Sequence, residues 1–196
     1  MKTNQFSTQT MTRIAVLAAL SAVLFCIEIP VILFYKLDFS NLPVLLGAFS
    51  MGPVAGAIIL GIKSLTGLMH SGTGGVGELA DFIQGLAYML PAALIYLRHK
   101  KRSNALLGMG VGTVAMVAAG ILSNVYILIP LLLPTETVIA MAQGAVPSWL
   151  PAINTIWDFA FWVVAPFNLL KGIVIAVVTF ILYKHLSPLL HGRLRA

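Results

Sequence analysis

The sequence predicts an all-α integral membrane protein, a single domain over residues 1–196 with six transmembrane helices and both termini cytoplasmic. Three observations carry this prediction. Only 9% of the residues are charged and the mean hydropathy is +0.97, which leaves too little charge to cover a soluble domain of this size. Apolar stretches of about 20 residues recur, each long enough to cross roughly 30 Å of hydrocarbon as a helix, and β-barrel alternation is absent. The basic residues gather at the edges of those stretches, at Arg98, His99, Lys100, Lys101 and Arg102 and again at Lys184, Arg193 and Arg195, the pattern of cytoplasmic loops.

The first helix is expected over about 11–34, with Lys2 and Arg13 holding its start in the cytoplasm. The long apolar run that follows contains Gly52-Pro53. Read as one span, it would put Arg98–Arg102 outside. Split at the Gly-Pro pair into helices at about 42–51 and 53–70, it returns every basic cluster to the cytoplasm, and proline is an ordinary first residue of a helix. Further helices follow at about 78–98, 104–133 and 166–186. Residues 134–165 contain prolines, Glu136 and Asp158, and parity denies them a crossing. They are expected as partial helices at the outer interface, with Trp149, Trp157 and Trp162 at headgroup depth.

The net charge of +6 therefore reports topology, and no nucleic-acid surface is expected. The single cysteine, Cys26, excludes an internal disulfide and lacks the partners of a structural zinc site. Met1 to Thr12 is polar and the next apolar segment is too long for a signal h-region, so no cleavable leader is expected.

This topology gives each polar group a depth. Lys36, Asp38, Ser40 and Asn41 fall in the first outer loop. Gly72 to Gly77, Glu78 and Asp81 form the second outer loop and the start of the fourth helix. Asn124 and Tyr126 lie toward the outer end of the fifth helix, and Asn168 and Lys171 occupy the outer turns of the sixth. Polar groups from four segments thus reach one depth, and an outward-facing pocket follows, because ionisable groups inside spans are costly and commonly line cavities. Lys171 is near enough to the helix end to snorkel, but Asn168, one turn above on the same face, gains nothing that way. Glu78 also has a plain role as an anion at a helix N-terminus. Lys63 has an ordinary reading as the partner of a carboxylate and stays outside the candidate set.

Other patterns are declined. GTGGVG, Gly72 to Gly77, has the spacing of a dinucleotide fingerprint but follows a membrane helix instead of a strand. Its glycines, Gly77 included, let backbone approach a flat ligand. GAIILGIKS is one residue out of register for a P-loop and lies in an apolar helix. No metal triad or nucleophile–base set is visible, so an intramembrane enzyme has no candidate site. Ala15/Ala19 and Ala18/Ala22 form small-xxx-small pairs suited to close helix approach, as do Gly47, Gly52, Gly56 and Gly61 for packing within the bundle.

KLDFSNLPVLLGAFSMGPVAGAIILGIK, GGVGELADFIQG and APFNLLKG together resemble the riboflavin-binding S components of energy-coupling factor (ECF) transporters, over nearly the whole chain. The resemblance implies a six-helix subunit of the bacterial cell membrane that captures riboflavin from outside with high affinity and delivers it by reorienting. It implies no cofactor. A transmembrane coupling subunit and two cytoplasmic ATPase subunits would be its partners, so ATP hydrolysis would lie elsewhere. Leu37, Asp38 and Phe39 would cover the pocket. Asn124, Asn168 and Lys171 would meet the polar edge of the flavin or its ribityl hydroxyls. Gly77, Glu78 and Asp81 match the motif on the fourth helix. One of the pairs Ala15/Ala19 and Ala18/Ala22 would dock on the coupling subunit. An S component for another vitamin and a ligand-free membrane scaffold are the alternatives.

Overall fold

A computed structural model describes residues 7–147 and 150–190, with side chains described as far as Leu182. Lys2, Trp149, Arg193 and Arg195 lie outside the described residues, as does the side chain of Lys184. Among the described residues, five helical segments are long and apolar enough to cross a membrane, and one shorter apolar helix accompanies them.

The first, α1 (Thr8–Phe25), begins where the Ser7 hydroxyl accepts the Thr10 backbone N–H at 3.2 Å. It stops well short of residue 34. Residues 29–37 form an antiparallel hairpin, β1 (Ile29–Ile32) and β2 (Tyr35–Leu37), with Ile29 opposite Leu37 and Ile32 opposite Tyr35. The sequence expectation of one helix over about 11–34 is corrected here. Pro30 has no N–H for a helical bond, and the β-branched residues around it suit extended backbone. An ion pair between Lys36 and Glu28 closes the open end of the hairpin.

The Gly52-Pro53 break is found as expected. Helix α2 (Asn41–Met51) ends at Gly52, whose φ of +103° is a conformation that L side chains rarely adopt, and α3 (Pro53–Gly67) restarts with proline in its first turn. Helix α2 is buried from Asn41 through Phe49, so it forms the centre of the bundle. Gly56 packs on Ala48 and Gly47 faces Ile59, but Gly61 meets no neighbour among the described residues, so the expected packing glycines divide by face.

A 3-10 turn (Leu68–His70) and a glycine loop lead to α4 (Val76–Arg98). Next, α5 (Arg102–Ser123) lies close along α4, because Gly108 and Gly112 bring its backbone against the carbonyls of Ala92 and Tyr88. It continues through a π-helical turn (Asn124–Leu128) into α6 (Ile129–Leu132), making one apolar rod from Arg102 to Leu132.

After α7 (Thr135–Ala145), the outer segment departs from the expectation for residues 134–165. Helix α8 (Ile156–Phe159), capped by Thr155 and Asp158, runs through a second π turn (Ala160–Val164) directly into α9 (Ala165–Leu190). Residues 156–165 therefore extend the last helix at its N-terminal end, and Trp157 and Trp162 sit exposed on its first turns.

Two apolar cores result. One joins α1–α5 around Leu45, Phe49, Ile59, Tyr88 and Tyr96, with Ile175 from α9. The other gathers Tyr35, Val125, Ile129, Val138, Phe159, Val163 and Phe167. Along α4, Ala80 belongs to the second core and Tyr88 to the first; along α9, Phe167 and Ile175 are divided likewise. Asp81 and Lys171 lie between these pairs in sequence, at the junction of the cores.

Candidate ligand-binding site

Four charged side chains from four segments meet at that junction. Asp38 follows the hairpin, Lys63 comes from α3, Asp81 from α4 and Lys171 from α9. The Lys171 ammonium donates to Asp38 Oδ2 at 2.8 Å and to Asp81 Oδ1 at 3.0 Å. Asp81 Oδ2 accepts from Lys63 Nζ at 2.5 Å. The result is an alternating chain, Asp38–Lys171–Asp81–Lys63, with two positive and two negative charges. Lys63, Asp38 and Lys171 are each under 5% exposed, and Asp81 is only slightly more open. Lysines and carboxylates withdrawn this far from water require such pairing.

Neutral groups complete the network. Lys63 also donates to Ser40 Oγ at 3.0 Å and Asn41 Oδ1 at 3.2 Å, and its ammonium stands 4.9 Å from the centre of the Phe25 ring. Asp38 Oδ1 accepts from the Ser40 backbone N–H at 2.8 Å and from the Ser40 hydroxyl. Ser21 of α1 donates to the Ser40 carbonyl at 2.6 Å. Burial alone would raise the Asp38 carboxyl, but the ammonium groups of Lys171 and Lys63 outweigh it and hold the pKa below its ordinary value.

Lys171 therefore points inward to two carboxylates and does not snorkel. Asn168 is buried one turn before it. Its amide donates to the Val164 carbonyl at 3.0 Å, and its Oδ1 has no partner among the described residues. Gly120 of α5 makes the room, since a Cβ there would lie 2.5 Å from the Asn168 amide nitrogen. Asn124, at the head of the π turn in α5–α6, accepts from Tyr35 Oη at 2.5 Å and donates to the Gly120 carbonyl at 2.8 Å. Tyr35 packs in turn against Phe34, Phe159 and Phe167, with centroids 4.7–6.2 Å apart. Polar and aromatic surfaces thus adjoin, and both π turns occur here, where such irregularities often serve function.

Of the residues expected at the site, Asp38, Asp81 and Lys171 are in direct contact, and Asn168 and Asn124 both pack at Gly120. Leu37 and Phe39 flank Asp38 and are half-buried. Glu78 and Gly77 do not join the charged chain. Glu78 accepts from Ser71 Oγ at 2.7 Å and Thr73 Oγ1 at 3.2 Å, and the Gly77 N–H bonds Thr73 Oγ1, so both organise the glycine loop. Sequence reasoning left out Lys63 and gave no role to Tyr35. Lys63 does pair with a carboxylate as its plain reading held, but that carboxylate is the one that also holds Lys171. A separate apolar groove between α5 and α9, lined by Leu106, Gly110, Val114, Ile173 and Val177 among others, includes none of these residues.

On α1 the two alanine pairs lie on adjacent faces and differ in exposure. Ala18 is buried and Ala22 half-buried, whereas Ala15 and Ala19 are exposed beside Val16, Leu20 and Val23.

A family model for the ECF transporter substrate-specific component matches residues 9–183. The chain belongs to this family. It is 30% identical over 192 residues to the riboflavin transporter RibU of Staphylococcus aureus (strain TCH60), covering 96% of each chain. It is 29% identical over 158 residues to the riboflavin transporter FmnP of Bacillus subtilis (strain 168), covering 79% of this chain and 78% of that one. A solved structure of the S component of a bacterial ECF transporter superposes with a TM-score of 0.73 at 30% identity, covering 93% of this chain and 98% of that one. As an ECF substrate-specific component the chain is a multi-pass transport subunit and not an enzyme.

Proposed function

We infer that this chain is the riboflavin-binding subunit of an ECF-type transporter, capturing the vitamin outside a bacterial cell for uptake. The observation that carries this reading is the pair Asn168 and Lys171, buried one turn apart on α9 in a chain that matches a riboflavin transporter over nearly its whole length. Riboflavin has an apolar dimethylbenzene edge, a pyrimidine edge rich in donors and acceptors, and neutral hydroxyls. A site with aromatic walls and a few placed polar groups suits it. Lys171 and the amides of Asn168 and Asn124 can donate to ring carbonyls and nitrogens, and the free Oδ1 of Asn168 can accept a ring N–H.

Asp38 and Asp81 hold Lys171 until the ligand arrives. Leu37, Asp38 and Phe39 then form the cover, while Glu78 and Gly77 shape the loop beside it. Six spans follow if α2 counts as the short sixth, with both termini cytoplasmic on the strength of Arg98–Arg102. A transmembrane coupling subunit and two ATPase subunits complete the transporter. Of the two alanine pairs, Ala15/Ala19 offers the small, outward face that docking needs.

The test is uptake. Riboflavin-auxotrophic cells lacking their own transporter, supplied with this chain and an ECF coupling module, are expected to grow on low riboflavin. Failure to grow with the complex assembled in the membrane would refute the reading.

A further inference from the structure

We propose that Lys63 is a positioning residue for ligand capture: as the standing counter-ion of Asp81, it frees the Lys171 ammonium to turn to the ligand. This rests on the riboflavin reading of the site. In the alternating chain, Lys171 is shared by two carboxylates, at 2.8 Å and 3.0 Å, and Lys63 is the terminal cation on Asp81. If Lys171 moves toward a ligand, Asp81 keeps Lys63 and Asp38 keeps the Ser40 N–H and hydroxyl. Asp81 then keeps a cation and Asp38 keeps two neutral donors, so the exchange costs less than leaving both buried carboxylates without a cation.

Without Lys63 the balance changes. Two buried carboxylates would share one ammonium, and withdrawing Lys171 would leave Asp81 with no cation. The ligand would then compete with both carboxylates for the same group. The geometry suits Lys63 for a standing role: its ammonium is fully buried, bonded to Ser40, Asn41 and Asp81, and set beside the Phe25 ring. Ser40 and Asn41 also tie it to the segment that carries Asp38, so one side chain holds α3, α4 and the cover loop in register.

The charge arithmetic supplies a test that a merely structural role would not pass. Riboflavin quenching titrations are run on the detergent-purified full chain, as wild type, Lys63→Met, Asp81→Asn and the double variant Lys63→Met/Asp81→Asn. Lys63→Met is expected to weaken riboflavin binding at least tenfold. Adding Asp81→Asn, which removes the surplus negative charge, is expected to recover most of that loss despite being a second change in the same network. A Lys63→Met protein that binds as wild type does, or a double variant whose losses simply add, would overturn the proposal. If Lys63→Met alone does not yield folded protein, the double variant decides: folded and binding supports the charge argument, folded and not binding refutes it. A wild-type protein that fails to quench riboflavin would refute the riboflavin reading itself, and this proposal with it.

Discussion

At the scale of the residue, the site is governed by how few charges are buried and how completely they are paired. On the proposed reading, Lys171 and Asn168 are the side chains whose loss bears most directly on the ligand. A hydrogen bond from a charged donor contributes about 1.5–3 kcal/mol, so Lys171→Ala is expected to weaken riboflavin binding by roughly 10- to 100-fold. Asn168→Ala is expected to cost less, since its amide is neutral. Titration of both variants against wild type checks this, and unchanged affinity in both would remove them from the site. Asp38 predicts an acid limb in the stability curve. Its folded pKa lies below the ordinary 3.8, so its contribution is complete above that pH and fades as pH falls through the lower folded value. Thermal unfolding of Asp38→Asn in detergent is expected to be less stable than wild type at neutral pH and flatter below about pH 4.

At the scale of the element, what could be read from the sequence follows the range of the interaction concerned. The break between α2 and α3 was legible because Gly52 and Pro53 act locally, one by its positive φ and the other by its missing N–H. The hairpin was hidden because Ile27 to Phe34 is mostly apolar and reads as a continuing membrane helix; Pro30 was the local sign against it, and the packing of Tyr35 against Phe159 and Phe167 lies far away in sequence. The start of the last helix was set too late for a related reason: Trp157 and Asp158 read as interface, yet Thr155 and Asp158 form a capping box that begins it there. Lys171 and Asn168 could be read from their spacing on one helix. Lys63 could not, because its partners are 18 to 23 residues away and no local pattern joins them. Helix α1 carries its own prediction. Ala15→Leu with Ala19→Leu leaves the interior untouched, so riboflavin binding is expected to persist while uptake by a reconstituted complex falls to background. Uptake at the wild-type rate would show that this face does not dock.

At the scale of the whole molecule, two apolar cores are joined by an electroneutral polar layer to which the hairpin loop, α3, α4 and α9 each contribute one charge. A neutral, largely flat molecule with one polar edge fits such a layer, and an unpaired charge does not. The most direct test is the visible spectrum of the detergent-purified wild-type protein followed by a riboflavin quenching titration. A yellow preparation, or saturable quenching at one equivalent, is the predicted result. A colourless protein that leaves riboflavin fluorescence unchanged would contradict flavin capture and leave only the membrane fold standing.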